Sequence, residues 1–379
     1  MDTKRVLLMH ITNVTGHRSA SRAIEHALRQ TNGAVQIRAI DAFNYINPYL
    51  LGIIYNLYIF IIKALPGVWD YLYDNEAILR RIDRIRSLIH RLSERKIKRL
   101  FDDFPADIVV CTQAFPCAML ADYKRRHNLN IPLMGVLTDF APHIYWLNDY
   151  VDIYIVPTPE VTQNLINRGI VQQRQRVLGI PIDTKFAKPA KRQETFRRLG
   201  LDAELPVILI MGGGQGLGPI KEIVRSFDRL RRPVQLMVVC GTNRYLYKWL
   251  SRNRSSFTKP LFIIGYTDHI DDLMAVSTFI VTKPGGLTSA EALSKSLPII
   301  IVNPLPGQES RNTRFLLERG AALRVDSFVQ LQSLAGELLS DRARLAKLRQ
   351  RAGAQAVADS AQKIAQLILD MVGNDVSSV

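Results

Sequence analysis

Residues 281–312 contain more groups able to bind an anionic ligand than any other part of the chain. An apolar run ends at Val281, the tetrapeptide KPGG follows at 283–286, and a helical pattern begins at Leu287. In this order of strand, glycine turn and helix, unpaired backbone N–H groups and the positive end of the helix dipole point at one spot. Such a spot can bind a phosphate group without needing a metal ion.

Polar side chains in the same stretch follow the glycine turn. Glu291 lies on the first helical turn, where its carboxylate could accept hydrogen bonds from a ribose diol, and a second predicted strand at 297–302 leads to Gln308 and Glu309. Because both loops leave the carboxyl ends of parallel strands, they lie on one edge of the sheet and could share a ligand. The alternative is that 283–286 is only a turn and that the later polar residues only begin a solvated helix.

A second glycine-rich loop strengthens the case for a phosphate site. A predicted strand at 205–211 runs into GGGQGLG at 212–218, and a predicted helix extends from there to Leu230. The loop lies between a strand and a helix, as phosphate binding by backbone N–H groups requires. It is not a dinucleotide fingerprint, because no frame has the G-x-G-x-x-G spacing and the next strand, 234–240, ends without an acidic residue. It also lacks the Lys-Ser/Thr ending of a Walker loop.

A histidine follows the first predicted strand of the chain. Residues 5–11 form an apolar run, Gly16 permits a sharp exit from it, and His17 then lies beside the N-terminus of a helix predicted over 18–29. A neutral imidazole there could take a proton from an incoming hydroxyl group near neutral pH, and the helix dipole favours its unprotonated form. The alternative is a histidine that only caps the helix.

Further polar and aromatic side chains follow a predicted strand at 131–137. They are Asp139, His143 and Trp146. Because side chains at the carboxyl end of a parallel strand border the binding crevice of the sheet, this cluster is a candidate for a substrate cleft.

The charge balance predicts an anionic partner. The 379 residues include 50 Lys and Arg against 34 Asp and Glu, which gives a formal net charge of +16. Such a surplus favours nucleic acid or an anionic membrane surface as the partner.

Two neighbouring segments favour the membrane. Residues 49–62 are almost all apolar or aromatic; they are too short to span a bilayer, which needs about 20 residues, but long enough to lie in the headgroup layer. The following segment, 80–99, has nine Lys and Arg against two acids, with Ile and Leu at helical spacing. The alternatives are a buried core helix and a solvated basic helix. The residues expected to contact the membrane or a substrate lying in it are Tyr55, Tyr58, Phe60, Trp69, Arg80, Arg81, Arg84, Arg86 and Trp146.

The cysteines and the N-terminal residues predict a cytoplasmic location. Cys111, Cys117 and Cys240 form no C-x-x-C pair and lie in or beside apolar runs, which is typical of buried thiols in a reducing compartment. The first residues show no signal-peptide pattern. We therefore expect a cytoplasmic protein that binds peripherally to the inner face of the cell membrane.

The order of apolar runs, glycine turns and helical patterns predicts an α/β protein with two domains. We expect an N-terminal domain over 1–184 that binds the membrane and a substrate, a polar linker over 185–204 and a C-terminal domain over 205–352 that carries the two phosphate-binding loops. A helix within 353–379 is expected to pack back on the first domain.

Several ordered motifs resemble the family of monogalactosyldiacylglycerol synthases and processive diacylglycerol glucosyltransferases, which are GT-B glycosyltransferases of family 28. The motifs are TDFxxHxxW at 138–146 with DxY at 152–154, GIPI at 179–182, GGGQGxG at 212–218, TKPGGLTxxE at 282–291 and PGQExxN at 306–312. They extend over most of the chain. The resemblance implies a GT-B fold, in which two Rossmann-like domains with parallel sheets face each other across a cleft.

The resemblance also implies the ligands and their sites. A UDP-hexose would be the donor, with Tyr266 and Met274 beside the uracil, Glu291 on the ribose, and Gln308 and Glu309 on the sugar hydroxyls. In full, the implied donor-binding residues are Gly212, Gly213, Gly214, Gln215, Gly216, Tyr266, Met274, Lys283, Gly285, Gly286, Thr288, Ser289, Glu291, Gln308, Glu309 and Asn312. A diacylglycerol would accept glucose or galactose with inversion of the anomeric centre. The UDP-sugar is a co-substrate, and neither a cofactor nor an obligatory metal ion is expected.

The resemblance places His17 near the reacting hydroxyl group. Plant-type members of the family carry an Asp five positions before this histidine, whereas the present chain has Thr12. Asp139 and His143 are therefore alternative bases, or partners of the base.

Three other functions remain compatible with the sequence. The first is transfer to a polyprenyl-linked or other lipid acceptor, and the second is epimerisation of a UDP-sugar on the same fold. The third is nucleic-acid binding, although the basic residues follow an aromatic-aliphatic stretch instead of alternating with aromatic residues that stack on bases. The sequence leaves open the choice between UDP-glucose and UDP-galactose, and the oligomeric state.

Overall fold

The chain folds into two α/β units. A computed structural model describes residues 3–11, 15–31, 35–46, 76–189 and 191–373. The first unit holds the residues up to Thr184, residues 305–308 and the residues from Asp359 onwards, and the second holds 185–304 and 309–358. Each unit contains a six-stranded sheet in which all pairs are parallel, which confirms the predicted fold class.

Strands and helices alternate along the first unit. They are β1 (Lys4–His10), α1 (Thr15–Gln30), β2 (Val35–Asp41), α2 (Ala42–Ile46), α3 (Glu76–Asp103), β3 (Ile108–Cys111), α4 (Ala114–His127), β4 (Leu133–Val136), β5 (Ile153–Val156), α5 (Pro159–Ile166) and β6 (Gln175–Val177). The strand order in the sheet is β2-β1-β3-β4-β5-β6.

The second unit repeats this alternation. Its elements are α6 (Arg192–Leu199), β7 (Val207–Met211), α7 (Ile220–Asp228), β8 (Gln235–Val239), α8 (Arg244–Arg252), β9 (Leu261–Ile264), α9 (Ile270–Val276), β10 (Phe279–Thr282), α10 (Gly286–Ser294), β11 (Ile299–Val302), α11 (Gln308–Glu318), β12 (Ala322–Val325), α12 (Phe328–Ser340) and α13 (Arg342–Gly353). The strand order is β12-β11-β10-β7-β8-β9.

The central strands are continuous apolar runs because helices cover both faces of a parallel sheet. Every residue of β7 (VILIM) and β8 (QLMVV) is buried. The three cysteines are free and buried, as predicted. Residues 185–204, predicted to be a linker, pack within the second unit, where Arg198 forms an ion pair of 2.7 Å with Asp272 of α9.

The last helix, α14 (Ser360–Gly373), packs on α1 within the first unit. Ala361, Ile364, Ala365 and Ile368 recur at the spacing of one helix face and are fully buried. They share an apolar cluster with residues of α1, including Ile24. The C-terminal helix therefore supplies part of the core of the first unit.

Each sheet has one point at which the strand order reverses. In the first sheet the chain goes from β1 to β2 on one side and then continues with β3 on the other side of β1. In the second sheet the corresponding strands are β7 and β10, which are neighbours although two strands separate them in sequence. Ligands of open α/β sheets bind outside the carboxyl ends of the strands at such a switch point. The first turn of α1 with His17, the loop at 212–218 and the turn at 283–285 all follow strands at these two points.

Part of the predicted membrane segment lies outside the described residues. This applies to Tyr55, Tyr58, Phe60 and Trp69. Arg80, Arg81, Arg84 and Arg86 lie on α3, which is 28 residues long. None of the helices in the described part of the chain combines the length and the apolar character that a membrane span requires.

Candidate functional site

His17 is held against the segment that follows β4. Its Nδ1 lies 2.9 Å from Oγ1 of Thr138, and its main-chain carbonyl accepts a hydrogen bond of 2.9 Å from Oγ1 of Thr112, the residue after β3. α1 begins at Thr15, three residues earlier than predicted, so that Gly16 lies in the first helical turn. His17 therefore lies inside this turn, and its contacts tie it to the carboxyl ends of two strands at the switch point of the first sheet.

Burial is the main influence on the pKa of His17 and lowers it below its ordinary value. The negative charge of Asp139 and a hydrogen bond to the main chain of Thr112 act in the opposite direction. Because burial disfavours the charged imidazolium, the ring is neutral at pH 7. A neutral imidazole is the form that can accept a proton from a hydroxyl group.

Asp139 and His143 are fixed by contacts within the first unit. Nε2 of Gln308 donates to Oδ2 of Asp139 at 2.9 Å. Nδ1 of His143 accepts a hydrogen bond of 3.1 Å from the main-chain N–H of Tyr145, and the two ring centroids lie 4.5 Å apart. Accepting at Nδ1 places the proton of a neutral His143 on Nε2, so that this nitrogen is a donor.

The segment after β4 is organised by the buried Tyr154. Its hydroxyl group donates to the carbonyl oxygen of Trp146 at 2.7 Å and accepts a hydrogen bond of 3.0 Å from the main-chain N–H of Asn148. Burial raises the pKa of Tyr154, so the hydroxyl keeps its proton. Trp146 is only 6% exposed because its ring packs in the core of the first unit. This differs from the prediction that Trp146 contacts the acceptor or the membrane.

The glycine loop at 212–218 packs tightly against the residues that follow β8. Gly216 has a φ of +56°, and a Cβ atom on it would lie 2.1 Å from the carbonyl oxygen of Cys240. Nδ2 of Asn243 donates to the carbonyl oxygen of Gly216 at 3.1 Å. A Cβ on Gly212 would lie 1.8 Å from the carbonyl oxygen of Leu217. Backbone contacts therefore leave no room for a side chain at Gly212 and Gly216.

Gly241 is part of the same loop structure, and the sequence prediction missed it. Its φ is +55°, and a Cβ on it would lie 2.2 Å from the carbonyl oxygen of Gly214. The next residue, Thr242, donates its main-chain N–H to that oxygen at 2.9 Å. A glycine directly after β8 could have indicated this contact. The prediction had used the end of this strand only to note that it lacks the acidic residue of a dinucleotide-binding site.

The second phosphate-binding candidate joins β10 to α10. The main-chain N–H of Gly285 donates to the carbonyl oxygen of Lys283 at 2.9 Å, and α10 begins at Gly286. Thr288 and Ser289 lie in the first turn of the helix. Ser289 is fully buried, and its hydroxyl oxygen has no hydrogen-bond partner. Unsatisfied buried hydroxyls are uncommon in native proteins and mark places where a ligand or water can supply the missing partner.

An ion pair joins the loops that follow β10 and β11. Nζ of Lys283 lies 2.8 Å from Oε1 of Glu309, and the two side chains are 26% and 12% exposed. Nδ2 of the buried Asn312 donates to the carbonyl oxygen of Pro284 at 3.0 Å. The two loops were predicted to lie on one edge of the sheet, and these contacts confirm it.

The remaining donor-binding candidates differ in exposure. Tyr266, after β9, is 57% exposed, whereas Met274 is 1% exposed on α9. Met274 therefore cannot contact a flat base in this conformation, because its side chain lies in the interior. Gln215 and Glu291 are partly exposed. Within the described residues, no group of three or more His, Cys, Asp or Glu side chains is arranged to hold a metal ion.

Two family models match this chain, one in each half. The model of monogalactosyldiacylglycerol (MGDG) synthase matches residues 17–182. The model of the glycosyltransferase family 28 C-terminal domain matches residues 207–369. The two matches include the His17 segment and both glycine loops.

Individual proteins resemble the chain over nearly its full length. A processive diacylglycerol beta-glucosyltransferase of Bacillus cytotoxicus is 30% identical over 374 residues, which cover 97% of this chain and 93% of the relative. The crystal structure of Acinetobacter baumannii MurG matches with a TM-score of 0.62 at 15% identity, covering 97% of this chain and 99% of that one. The S. aureus MnaA–UDP co-structure matches with a TM-score of 0.63 at 14% identity, covering 99% and 100%. At these identities the two structures show the fold alone, which is GT-B.

Proposed function

The chain belongs to the family of monogalactosyldiacylglycerol synthases and processive diacylglycerol glucosyltransferases, and we propose that it transfers a hexose from a UDP-sugar to diacylglycerol with inversion. The product is a glycoglycerolipid. The identity of 30% over nearly the whole of the Bacillus cytotoxicus relative supports this acceptor. The name of that relative favours glucose over galactose as the transferred sugar.

The observation that carries the proposal is the pair of loops at the switch point of the second sheet. The loops at 212–218 and 283–285 leave the neighbouring strands β7 and β10. Their main-chain N–H groups and the N-terminus of α10 stabilise a diphosphate. The side chain of Lys283, from the second loop, lies close to Gly213 of the first. A Cβ atom on Gly213 would be 3.6 Å from the Cε of Lys283. Its ammonium group adds positive charge beside the leaving diphosphate.

The transfer needs one base and one stabilised leaving group. The hydroxyl oxygen of diacylglycerol attacks the anomeric carbon, the bond from this carbon to the UDP oxygen breaks, and the hydroxyl proton passes to His17. UDP leaves with its charge stabilised by the N–H groups and by Lys283. Because main-chain dipoles and a lysine supply this stabilisation, the proposed reaction needs no obligatory metal ion. Attack from the side opposite the leaving group inverts the anomeric centre.

Three further side chains have proposed supporting roles. Asp139 raises the pKa of His17 and stabilises the imidazolium ion that forms during the transfer. Gln308 and Glu309 bind hydroxyl groups of the sugar. Glu309 lies in the first turn of α11, where its ion pair with Lys283 holds it beside the proposed diphosphate site.

The acceptor is a membrane lipid, so the enzyme must reach it at a bilayer. We propose that the aromatic segment 49–62 and the basic helix α3 bind the cytoplasmic leaflet peripherally. Each Lys or Arg near an anionic leaflet contributes about 1 kcal/mol to such binding. Replacing Arg80, Arg81, Arg84 and Arg86 with Gln is expected to reduce sedimentation with anionic vesicles, and sedimentation equal to that of the parent would contradict this docking.

Identification of the product tests the proposed function. The protein is incubated with radiolabelled UDP-glucose or UDP-galactose and with diacylglycerol in detergent micelles, and the organic extract is analysed. We expect label in a glycosyl diacylglycerol whose anomeric configuration is opposite to that of the donor. Label released as a free sugar or an epimer without an acceptor would indicate an epimerase. Label transferred only to an added polyprenyl-linked sugar would indicate a different lipid acceptor.

A further inference from the structure

The second unit carries an exposed surface of cations and aromatic rings that the proposed reaction does not use. We define the α8 surface by Lys221, Arg225, Tyr245, Lys248, Trp249 and Arg252. Tyr245 is 71% exposed, and the neighbouring Tyr247 is 41% exposed. On the opposite side of α8, Leu246 and Leu250 are buried and anchor the helix. The helix thus turns a row of polar and aromatic side chains towards solvent.

The rings of this surface are held by cations. Nζ of Lys221 lies 4.5 Å from the ring centroid of Tyr245 and 4.6 Å from that of Trp249. Cζ of Arg225 lies 5.1 Å from the centroid of Trp249. These contacts orient the aromatic rings and leave the positive charges uncompensated, since an aromatic ring carries no net charge.

The segment around this surface is strongly basic. Residues 221–259 contain ten Lys and Arg and only two acids, Glu222 and Asp228, so they account for half of the net charge of +16. The carboxylate of Asp228 is already hydrogen-bonded, because its Oδ1 accepts from the main-chain N–H groups of Thr258 and Lys259 at 2.7 and 3.0 Å. The α8 helix itself contains no acidic residue. A partner that complements this surface must be anionic.

We propose that the α8 surface binds an anionic membrane surface. Lys and Arg are attracted to anionic headgroups, and Tyr and Trp favour the layer between headgroups and acyl chains. Exposed rings beside cations also suit single-stranded nucleic acid. The membrane is the better partner because the proposed acceptor lies in a bilayer, and in this respect the inference rests on the proposed function.

The α8 surface is attached directly to the proposed UDP site. Asn243 caps α8, since its Oδ1 accepts the main-chain N–H of Leu246 at 2.9 Å. The Nδ2 of the same residue donates to the carbonyl oxygen of Gly216 in the glycine loop. Membrane binding through α8 therefore holds the donor loop close to the bilayer. It gives the second unit a membrane contact of its own, independent of the one proposed for α3.

Vesicle sedimentation tests this surface with the full-length protein. The test variant is R225Q/K248Q/R252Q, in which three exposed cations of the surface become neutral. The matched control is R197Q/R342Q/K347Q, which removes three exposed charges elsewhere in the second unit. Binding is measured to vesicles of phosphatidylcholine with and without phosphatidylglycerol, at low and at physiological ionic strength. Binding of a single-stranded RNA oligonucleotide is measured in parallel.

We expect the test variant to bind phosphatidylglycerol vesicles at least about tenfold more weakly than the parent, since each charge contributes about fivefold. The control should stay within about twofold. Equal losses in the two variants, or no loss in the test variant, would overturn the proposal. So would RNA binding that is tighter than vesicle binding and that the test variant alone loses.

Transfer to diacylglycerol in detergent micelles separates this inference from the proposed function. None of the substituted residues belongs to the proposed donor-binding set, so both variants should transfer hexose in micelles at the parent rate. If the test variant transfers hexose normally in micelles and binds vesicles as tightly as the parent, only the proposed membrane binding by the α8 surface is refuted. Absence of transfer by the parent would refute the proposed function, whatever the vesicles show.

Discussion

Nδ1 of His17 lies 2.9 Å from Oγ1 of Thr138, although 121 positions separate the two residues. The contact joins the first turn of α1 to the segment that follows β4. A second threonine, Thr112, holds the main chain of His17 from the end of β3. The imidazole is therefore held in one orientation, as a general base must be to meet the hydroxyl group of a substrate.

Replacing His17 with Gln should remove the base while keeping a polar side chain of similar size. We expect kcat for hexose transfer to fall by about 10²- to 10⁴-fold, and the Kd for UDP to stay within twofold. Thr138→Val, which removes only the hydrogen-bond partner, should give a smaller loss. Steady-state kinetics and UDP titration measure these effects. A His17→Gln variant with more than half of the parent kcat would rule out this base.

The carboxylate of Asp139 should affect the pH at which the acidic limb of the pH–rate profile lies. Its negative charge raises the pKa of His17, so Asp139→Asn should lower that pKa. Since the base must be unprotonated, activity rises with pH through this pKa, and the limb should move to lower pH in the variant. Asp149→Asn, which neutralises an exposed carboxylate on the same segment, is the control. A limb that stays in place or moves to higher pH in Asp139→Asn would be inconsistent with the assignment.

Gly216→Ala should disrupt the donor loop, because the new Cβ would approach the carbonyl oxygen of Cys240 at 2.1 Å and the residue has a positive φ. We expect UDP affinity to fall at least tenfold and the unfolding free energy to fall by about 1–3 kcal/mol. Gly265→Ala is the control, since a Cβ there meets no atom within 4 Å. For each variant, UDP titration measures the affinity and denaturant unfolding measures the free energy of unfolding. Equal effects of the two substitutions would show that the loop contacts do not matter.

Lys283 and Glu309 should act as a coupled pair in donor binding. Their 2.8 Å contact is partly shielded from solvent, so the effects of Lys283→Gln and Glu309→Gln on kcat/KM for the UDP-sugar should not add. In a double-mutant cycle we expect a coupling free energy of about 1–3 kcal/mol. The pair Lys191 and Glu194, at 3.4 Å and largely exposed, serves for comparison. Strict additivity at the first pair would mean that its two members act separately.

The buried pair of His90 and Asp122 should contribute to stability. Nδ1 of His90, which is fully buried, lies 2.6 Å from Oδ2 of Asp122. Nε2 has no hydrogen-bond partner, so Asp122→Ala would leave both ring nitrogens unsatisfied. We expect a loss of about 1–3 kcal/mol in the free energy of unfolding, measured by denaturant titration.

Two controls accompany this measurement. Asp122→Asn keeps a side-chain oxygen and should therefore reduce the free energy of unfolding by less than Asp122→Ala does. Asp359→Ala breaks an exposed pair with Lys363 and should change the stability by about 0–1 kcal/mol. A loss from Asp122→Ala no larger than that from Asp359→Ala would show that the buried contact is not stabilising.

The parallel sheets and the glycine loops were predictable from the sequence because their signals are local. β7 is a continuous apolar run that ends at a glycine cluster, and β10 ends at KPGG. Such patterns indicate where a strand ends and where backbone N–H groups become available to a ligand. The first sheet was predictable for the same reason, and β1 and the segment of His17 follow from one apolar run and one glycine.

The contacts that complete the site depend on strand order, which local patterns do not give. Thr138 meets His17 only because β4 lies next to β3, and β3 next to β1. Gly241 belongs to the glycine loop only because β8 pairs with β7. The burial of Met274 and Trp146 likewise results from tertiary packing. Both residues had suitable chemistry for a ligand contact, and chemistry alone does not indicate which face of an element points inwards.

The position of UDP in a crystal grown with the nucleotide and Mg²⁺ tests the proposed donor site most directly. We predict that both phosphate groups accept hydrogen bonds from main-chain N–H groups beside Gly213 and Gly286, with Nζ of Lys283 nearby and no metal ion bridging them to protein carboxylates. UDP bound away from these two loops, or a diphosphate held by a carboxylate-bound metal ion, would contradict it.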